Sequence, residues 1–291
     1  MGLFGRLKTG VLITKQSVFV MREHPRLALF PIVSGLASIV FLAALVVPLL
    51  GAFVLDTGGT TAVGLVALVG LYFGTAFITA FFSAGLVDQT RGVLDGKDPS
   101  LRAGIESAWA VKRPLFAWAL ISATVGIVFD AINDSTDSPV GQILAAVVGI
   151  AWTVLTFFVI PVIVFERPSI REMFTRSGET FKDTYGETPI SLAGTSIIAL
   201  LAGAPLLLPG AYLLFGLDMV LVGAPLLIAG IAASQLVAYT LRGIVKTALY
   251  WYATEGRRPD EFDEIFDQLE DLQKADSKSS GAGTPGIGGV R

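Results

Sequence analysis

Few residues in this chain are equipped for chemistry, and their spacing favours binding over bond-making. His24 is the only histidine and there is no cysteine. That excludes a thiol nucleophile, a disulfide and the convergent ligand sets that zinc or haem require. His24 lies between Glu23 and Pro25 at the entry to an apolar run, a place for a headgroup or capping contact. No Gly-rich phosphate loop, GxSxG elbow or HExxH pair occurs. We therefore expect no enzyme, no catalytic residue, no cofactor and no metal, and no nucleic-acid partner.

What remains is a set of charges and prolines near membrane boundaries. Arg242 and Lys246 are four residues apart and so share a helical face. Their environment depends on where the last apolar run ends. If it ends near Tyr239, both are in water; if the Tyr250, Trp251 and Tyr252 cluster forms an interfacial belt, the run shifts to roughly Leu226–Trp251 and both lie at membrane depth. An unpaired cation there costs about 2.5–3.5 kcal/mol on insertion scales, so it should snorkel or find an acid. Asp88 and Glu166, at the ends of the second and fourth runs, are the nearest by depth. The expectation is a structural charge cluster of Asp88, Glu166, Arg242 and Lys246, with Arg242 facing the bundle and paired to at least one carboxylate.

A second candidate is a hinge. GAPLLLPGA at 203–211 and GAPLLIAGI at 223–231 are near-duplicates in the last two runs. The repeat leads us to expect Pro205 and Pro225 about equally far from the intervening turn, at matching depth. Proline removes a backbone hydrogen bond and kinks a helix. Discontinuous membrane helices are where transporters often hold substrate. Thr75, Thr79 and Ser83 on one face of the second run, and Thr195 and Ser196 in the fifth, read as interhelical hydrogen-bonding groups.

The elements that must position these residues are membrane helices. Hydrophobic residues make up 53% and charged residues 15% of the 291, against roughly a quarter charged in soluble domains. The apolar residues fall in runs long enough to cross a ~30 Å hydrocarbon core at 1.5 Å per residue. Six spans follow: Leu27–Val54, Thr61–Leu86, Leu115–Ile132, Val140–Phe165, Ile190–Leu217 and Met219 to about Tyr239. The first begins behind a long basic segment and is too long for a cleavable signal. Short connections, DTGG, NDSTDS and a Gly216–Asp218 turn, predict three hairpins. Gly70 and Gly74 in the second span, and Ala229, Gly230, Ala233 and Ser234 in the sixth, predict close helix packing.

All 21 Lys and Arg residues fall in the N-terminal segment, the second-to-third and fourth-to-fifth connections, and the part after Tyr239. The opposite connections carry none, and their charges are Asp56, Asp130, Asp134, Asp137 and Asp218. Positive residues are retained on the cytoplasmic side, so both termini are expected there.

After each even-numbered span comes a proline and an amphipathic stretch: DPSLRAGIESAW (98–109), RPSIREMFTRSGETF (167–181) and RPDEFDEIFDQLEDL (258–272). Proline suits a first helical turn and Ser or Asp can cap it. The chain thus divides into an interfacial amphipathic helix over 1–26, a six-helix transmembrane domain over 27–254, an acidic amphipathic cytoplasmic helix over 255–276 and a disordered Ser, Gly and Pro rich tail over 277–291. The fold class is all-α, a polytopic helical bundle with cytoplasmic interfacial helices.

Three strings, EHPRLALFPIVSGL, FFVIPVIVFERPSIREMFTRSGETFKDTYGE and ALYWYATEGRRPDEFDE, resemble an uncharacterised archaeal, haloarchaeal-type integral membrane family, a domain of unknown function. The resemblance covers most of residues 1–265. It implies six spans and a plasma-membrane location, and carries no activity or catalytic residue. From the residues themselves we expect a membrane scaffold whose cytoplasmic helices bind membrane lipid, with a protein partner at the acidic C-terminal helix. The alternative is a permease or lipid or small-molecule transporter that uses the Pro205 and Pro225 region.

Overall fold

The computed structural model describes residues 14–54, 60–134, 138–183 and 188–255. The described chain is helical throughout, with no strand among these residues. Helix α1 covers residues 14–23, and a 3-10 turn at Pro25–Ala28 leads into α2 (Leu29–Val54). Then follow α3 (Thr60–Leu94), α4 (Leu101–Ala110), α5 (Lys112–Asp134), α6 (Pro139–Thr156) and α7 (Val159–Glu166). The last three are α8 (Ile170–Asp183), α9 (Thr188–Ala211) and α10 (Val220–Glu255), with a π-helical turn at Tyr212–Gly216 between α9 and α10.

Six segments are long and apolar enough to cross a membrane: Pro25–Gly51, Gly64–Leu94, Lys112–Ile132, Gly141–Glu166, Gly194–Gly216 and Val220–Trp251. Their side chains face outward over much of their length. Leu221 is 93% and Val66 is 75% exposed. Water would drive such a belt into an interior or an interface, whereas lipid tails solvate it. The buried core gathers at the end where α4 and α8 pack, around Leu27, Phe30, Phe158, Met173, Leu249 and Tyr250. There the chain leaves the apolar belt and burial excludes water.

Sequence patterning explains the two short helices. Ser100 caps α4, accepting from the Ala103 amide at 3.5 Å. Ser169 and Glu172 form a reciprocal box at the start of α8: the Ser169 amide donates to Glu172 Oε2 at 2.9 Å and the Glu172 amide to Ser169 Oγ at 3.4 Å. Met173, Ser177 and Phe181 then turn one face of α8 into the core. The N-terminal segment is seen only from residue 14, and the acidic helix expected over 255–276 and the tail over 277–291 lie, Glu255 apart, outside the described residues.

Three sequence expectations are corrected by the helix boundaries and contacts. The second span continues to Leu94 rather than ending at Leu86. The sixth helix runs to Glu255, so Arg242 and Lys246 stand on a helix that continues past Tyr239, within the apolar segment Val220–Trp251. The fourth span is two helices, broken at Phe157–Phe158. Pro161 is the cause, because it has no amide proton for the Phe157 carbonyl and its ring crowds that oxygen. The freed Phe158 amide donates to the buried Ser177 hydroxyl of α8 at 3.0 Å.

Helices α9 and α10 pack with backbones nearly touching. A Cβ on Gly203 would fall 1.9 Å from Ser234 Oγ, on Gly210 2.8 Å from the Leu227 nitrogen, on Gly223 2.6 Å from the Leu214 nitrogen and on Gly230 2.8 Å from Leu207 Cγ. This antiparallel register sets Pro205 opposite the neighbourhood of Ala232 and Pro225 opposite that of Tyr212. The two prolines therefore lie at different depths, about seven residues or ~10 Å apart at the helical rise. The repeated GAPLL string misled because the glycine faces, and not the duplicated letters, set the register. Both helices continue through their prolines.

Candidate functional site

The polar side chains of the span region converge where α3, α7 and α10 meet. A cavity of about 250 Å³ there is lined by Thr79 and Ser83 of α3 and by Gln235, Tyr239, Arg242 and Lys246 of α10. Ile160 and Pro161, just past the break in the fourth span, form its third wall. The α10 residues recur at helical spacing, so one face of that helix supplies an amide, a phenol, a guanidinium and an ammonium. The broken helix brings α7 across the opening, and α7 itself is held by burial of Val159, Val162 and Ile163.

Hydrogen bonds fix the neutral half of this cavity. Tyr239 Oη lies 2.5 Å from Ser83 Oγ and donates to the Thr79 carbonyl at 3.0 Å, tying α10 to α3. The cationic half is not neutralised. Arg242 donates to Ser196 Oγ of α9 at 3.4 Å. Lys246 Nζ sits 4.4 Å from the centre of the Phe157 ring, whose electron-rich face attracts a cation. Among the described residues neither cation has a carboxylate within ion-pair distance.

The expected charge cluster is thus divided. Arg242 and Lys246 share one cavity, but the two acids are engaged elsewhere. Glu166 Oε1 accepts from Tyr250 Oη at 2.5 Å and Oε2 lies 3.5 Å from Arg176 Nε of α8. Asp88 accepts from Gln89 Nε2 at 2.9 Å. The latch expected between Arg242 and these acids is replaced by a tie between α7, α8 and α10 centred on Glu166. Sequence reasoning overlooked Arg176, which is placed by its position on α8, and the Tyr250 hydroxyl, which donates to Glu166 besides belonging to the aromatic cluster.

A second cavity of about 400 Å³ adjoins the first and shares Thr79, Ser83 and Ile160 with it. It adds Tyr72, Thr75, Trp118 and Ser122. The Ser122 hydroxyl is buried without a hydrogen-bond partner. At the far end Tyr72 Oη donates to the Asp130 carboxylate. A larger cleft of about 500 Å³ between α1 and α9 is walled mainly by Val18, Phe19, Ile197 and Ile198, and its cations Lys15 and Arg22 are exposed. It offers apolar surface rather than converging polar groups. Pro205 and Pro225 line none of these three.

Chemically, the first cavity can hold an anion. Among the described residues it presents two cations and several neutral polar groups, with no acid and no nucleophile–base pair. No group of three His, Cys, Asp or Glu residues able to hold a metal occurs among the described residues.

Residues 62–260 match a family of unknown function, DUF6159, and the chain belongs to that family. No curated protein and no solved structure matches it.

Proposed function

We propose that this DUF6159 member is a multi-pass membrane protein that binds an anionic phosphate or carboxylate group in the cavity between α3, α7 and α10, without catalysing a reaction. The observation that carries this reading is the pair Arg242 and Lys246, held at one cavity with no acid among the described residues to neutralise them. Leaving two cations uncompensated at membrane depth is costly, and a bound anion offsets that cost.

The surrounding architecture fits this role. The partition of Lys and Arg supports cytoplasmic termini, with α4 and α8 joining the three hairpins in the inner interface. The cationic cavity then opens at the inner leaflet, where anionic lipid headgroups are at hand. Binding of a protein partner through the acidic segment 255–276 is a separate proposal resting on sequence alone. It is tested by crosslinking from cysteines placed there.

The binding reading is tested by titrating detergent-purified protein with short-chain phosphatidylglycerol, short-chain phosphatidylcholine and inorganic phosphate, using calorimetry. The expected result is tighter binding of the anionic lipid than the neutral one, lost in Lys246→Met. Equal binding of phosphate alone would identify a free anion as the source. Equal binding of the neutral lipid, or an unaffected Lys246→Met, would overturn the proposal.

A further inference from the structure

The two adjoining cavities form one continuous polar surface. From Tyr72 to Val87 the α3 helix rises roughly 22 Å, most of a hydrocarbon core. Over that length its lining face presents Tyr72, Thr75, Thr79 and Ser83, joined by Ser122 from α5 and Tyr239 from α10. One end carries the Tyr72–Asp130 pair and the other carries Arg242 and Lys246. Between them no described lining residue is charged.

This surface is a groove rather than a closed pore. Helix α3 packs against both α5 and α10 and forms the floor, while α5 and α10 make no substantial contact with each other. Helix α6 leans away from α5, leaving an apolar cleft between them lined by Val125, Val128, Val148 and Trp152. Among the described residues α7 lies at one end of the opening, where Ile160 lines both cavities. Thr79, Gln235 and Arg242 are exposed along the opening.

We infer that the groove is a path along which the headgroup of an anionic phospholipid crosses the bilayer while its acyl chains stay in the surrounding lipid. The inference rests on the binding reading above and adds movement to it. The Thr79 hydroxyl and the Gln235 amide, both exposed along the opening, give a passing phosphate or glycerol hydrogen bonds that hydrocarbon cannot. Neutral groups hold an anion weakly enough for it to move on, as conduction requires. The cations at the inner end capture it. Ile160 stands at the junction, two residues past the helix break, and sets the width there. An open side suits a lipid, whose tails must remain outside, better than a hydrated solute, which needs walls on all sides.

The experiment reconstitutes the full chain in liposomes with tail-labelled fluorescent phosphatidylglycerol and bleaches the outer leaflet with dithionite. Wild-type protein is expected to expose inner-leaflet probe that protein-free liposomes protect. Ala76 lines the second cavity and not the binding cavity, so Ala76→Trp should return exchange to the protein-free level while retaining the calorimetric binding of short-chain phosphatidylglycerol. Ala76→Ser should exchange at the wild-type rate, and retained binding in the tryptophan variant guards against a mere folding defect. Intact binding with no exchange by wild type, or exchange unchanged in Ala76→Trp, would overturn the groove and leave the binding site standing. Loss of trapped radiolabelled phosphate without lipid exchange would overturn it in favour of a solute path. Failure of binding itself would instead remove the reading on which the groove rests.

Discussion

The Phe158 amide donates to the Ser177 hydroxyl at 3.0 Å, nineteen residues away in sequence and at the break in the fourth span. Both residues are fully buried. Ser177→Ala removes the acceptor and leaves a buried amide unsatisfied, which costs about 1–3 kcal/mol. We expect a lower unfolding temperature in detergent and faster deuterium exchange over residues 157–166, with Ser177→Thr retaining much of the protection. Unchanged exchange in Ser177→Ala would show that the break is held by other means.

Close packing of α9 on α10 predicts an asymmetry between two glycines. A Cβ on Gly203 would meet Ser234 Oγ at 1.9 Å and the Gly230 carbonyl oxygen at 2.6 Å, and the carbonyl cannot rotate away. Gly203→Ala should therefore destabilise by roughly 1–3 kcal/mol, the usual range for overpacking. Gly35, inside α2, has nothing within 4 Å of its would-be Cβ. Gly35→Ala should be neutral or stabilising by about 0.5–1 kcal/mol from helix propensity. Thermal unfolding of the two variants checks the contrast, and equal effects would contradict the register.

The sequence made some of this legible and hid the rest for identifiable reasons. Apolar run length revealed the six spans, because bilayer thickness imposes that length directly. The capped helices α4 and α8 were visible through Pro99, Ser100, Pro168 and Ser169, where local chemistry decides. The pairing of Arg242 with Lys246 followed from spacing on one helix. Their separation from Glu166 did not, because Arg176 reaches that acid only through the tertiary placement of α8. Pro161 was the overlooked signal. In a run as apolar as FFVIPVIVFE a proline reads as an ordinary membrane residue until Ser177 is seen accepting from the freed amide.

Acidity should loosen the start of α8. The Glu172 carboxyl is held below its ordinary value, chiefly by the hydrogen bond from the Ser169 hydroxyl and next by the Ser169 amide. A depressed folded pKa means that the contribution is complete above the unfolded value, ~4.3. It is lost as pH falls through the lower folded value. Backbone carbon shifts of labelled Ser169 and Glu172 should move toward coil in that acid window, while Glu172→Gln should show no such titration. A matching titration in the glutamine variant would assign the change to another group.

Topology is open to a direct check. The partition of Lys and Arg predicts that a cysteine replacing Asp134 reacts with an impermeant reagent added to intact cells, whereas one replacing Ser280 does not. Labelling of both positions from outside would reverse the assignment of sides.

The most direct test of anion binding at Arg242 and Lys246 is native mass spectrometry of protein extracted gently from its own membrane, comparing wild type with the Arg242→Gln, Lys246→Gln double variant. The account predicts that wild type retains an anionic lipid or free anion through mild activation and that the double variant, folded and intact, releases it. Equal retention by both proteins, or retention of neutral lipid only, would contradict it.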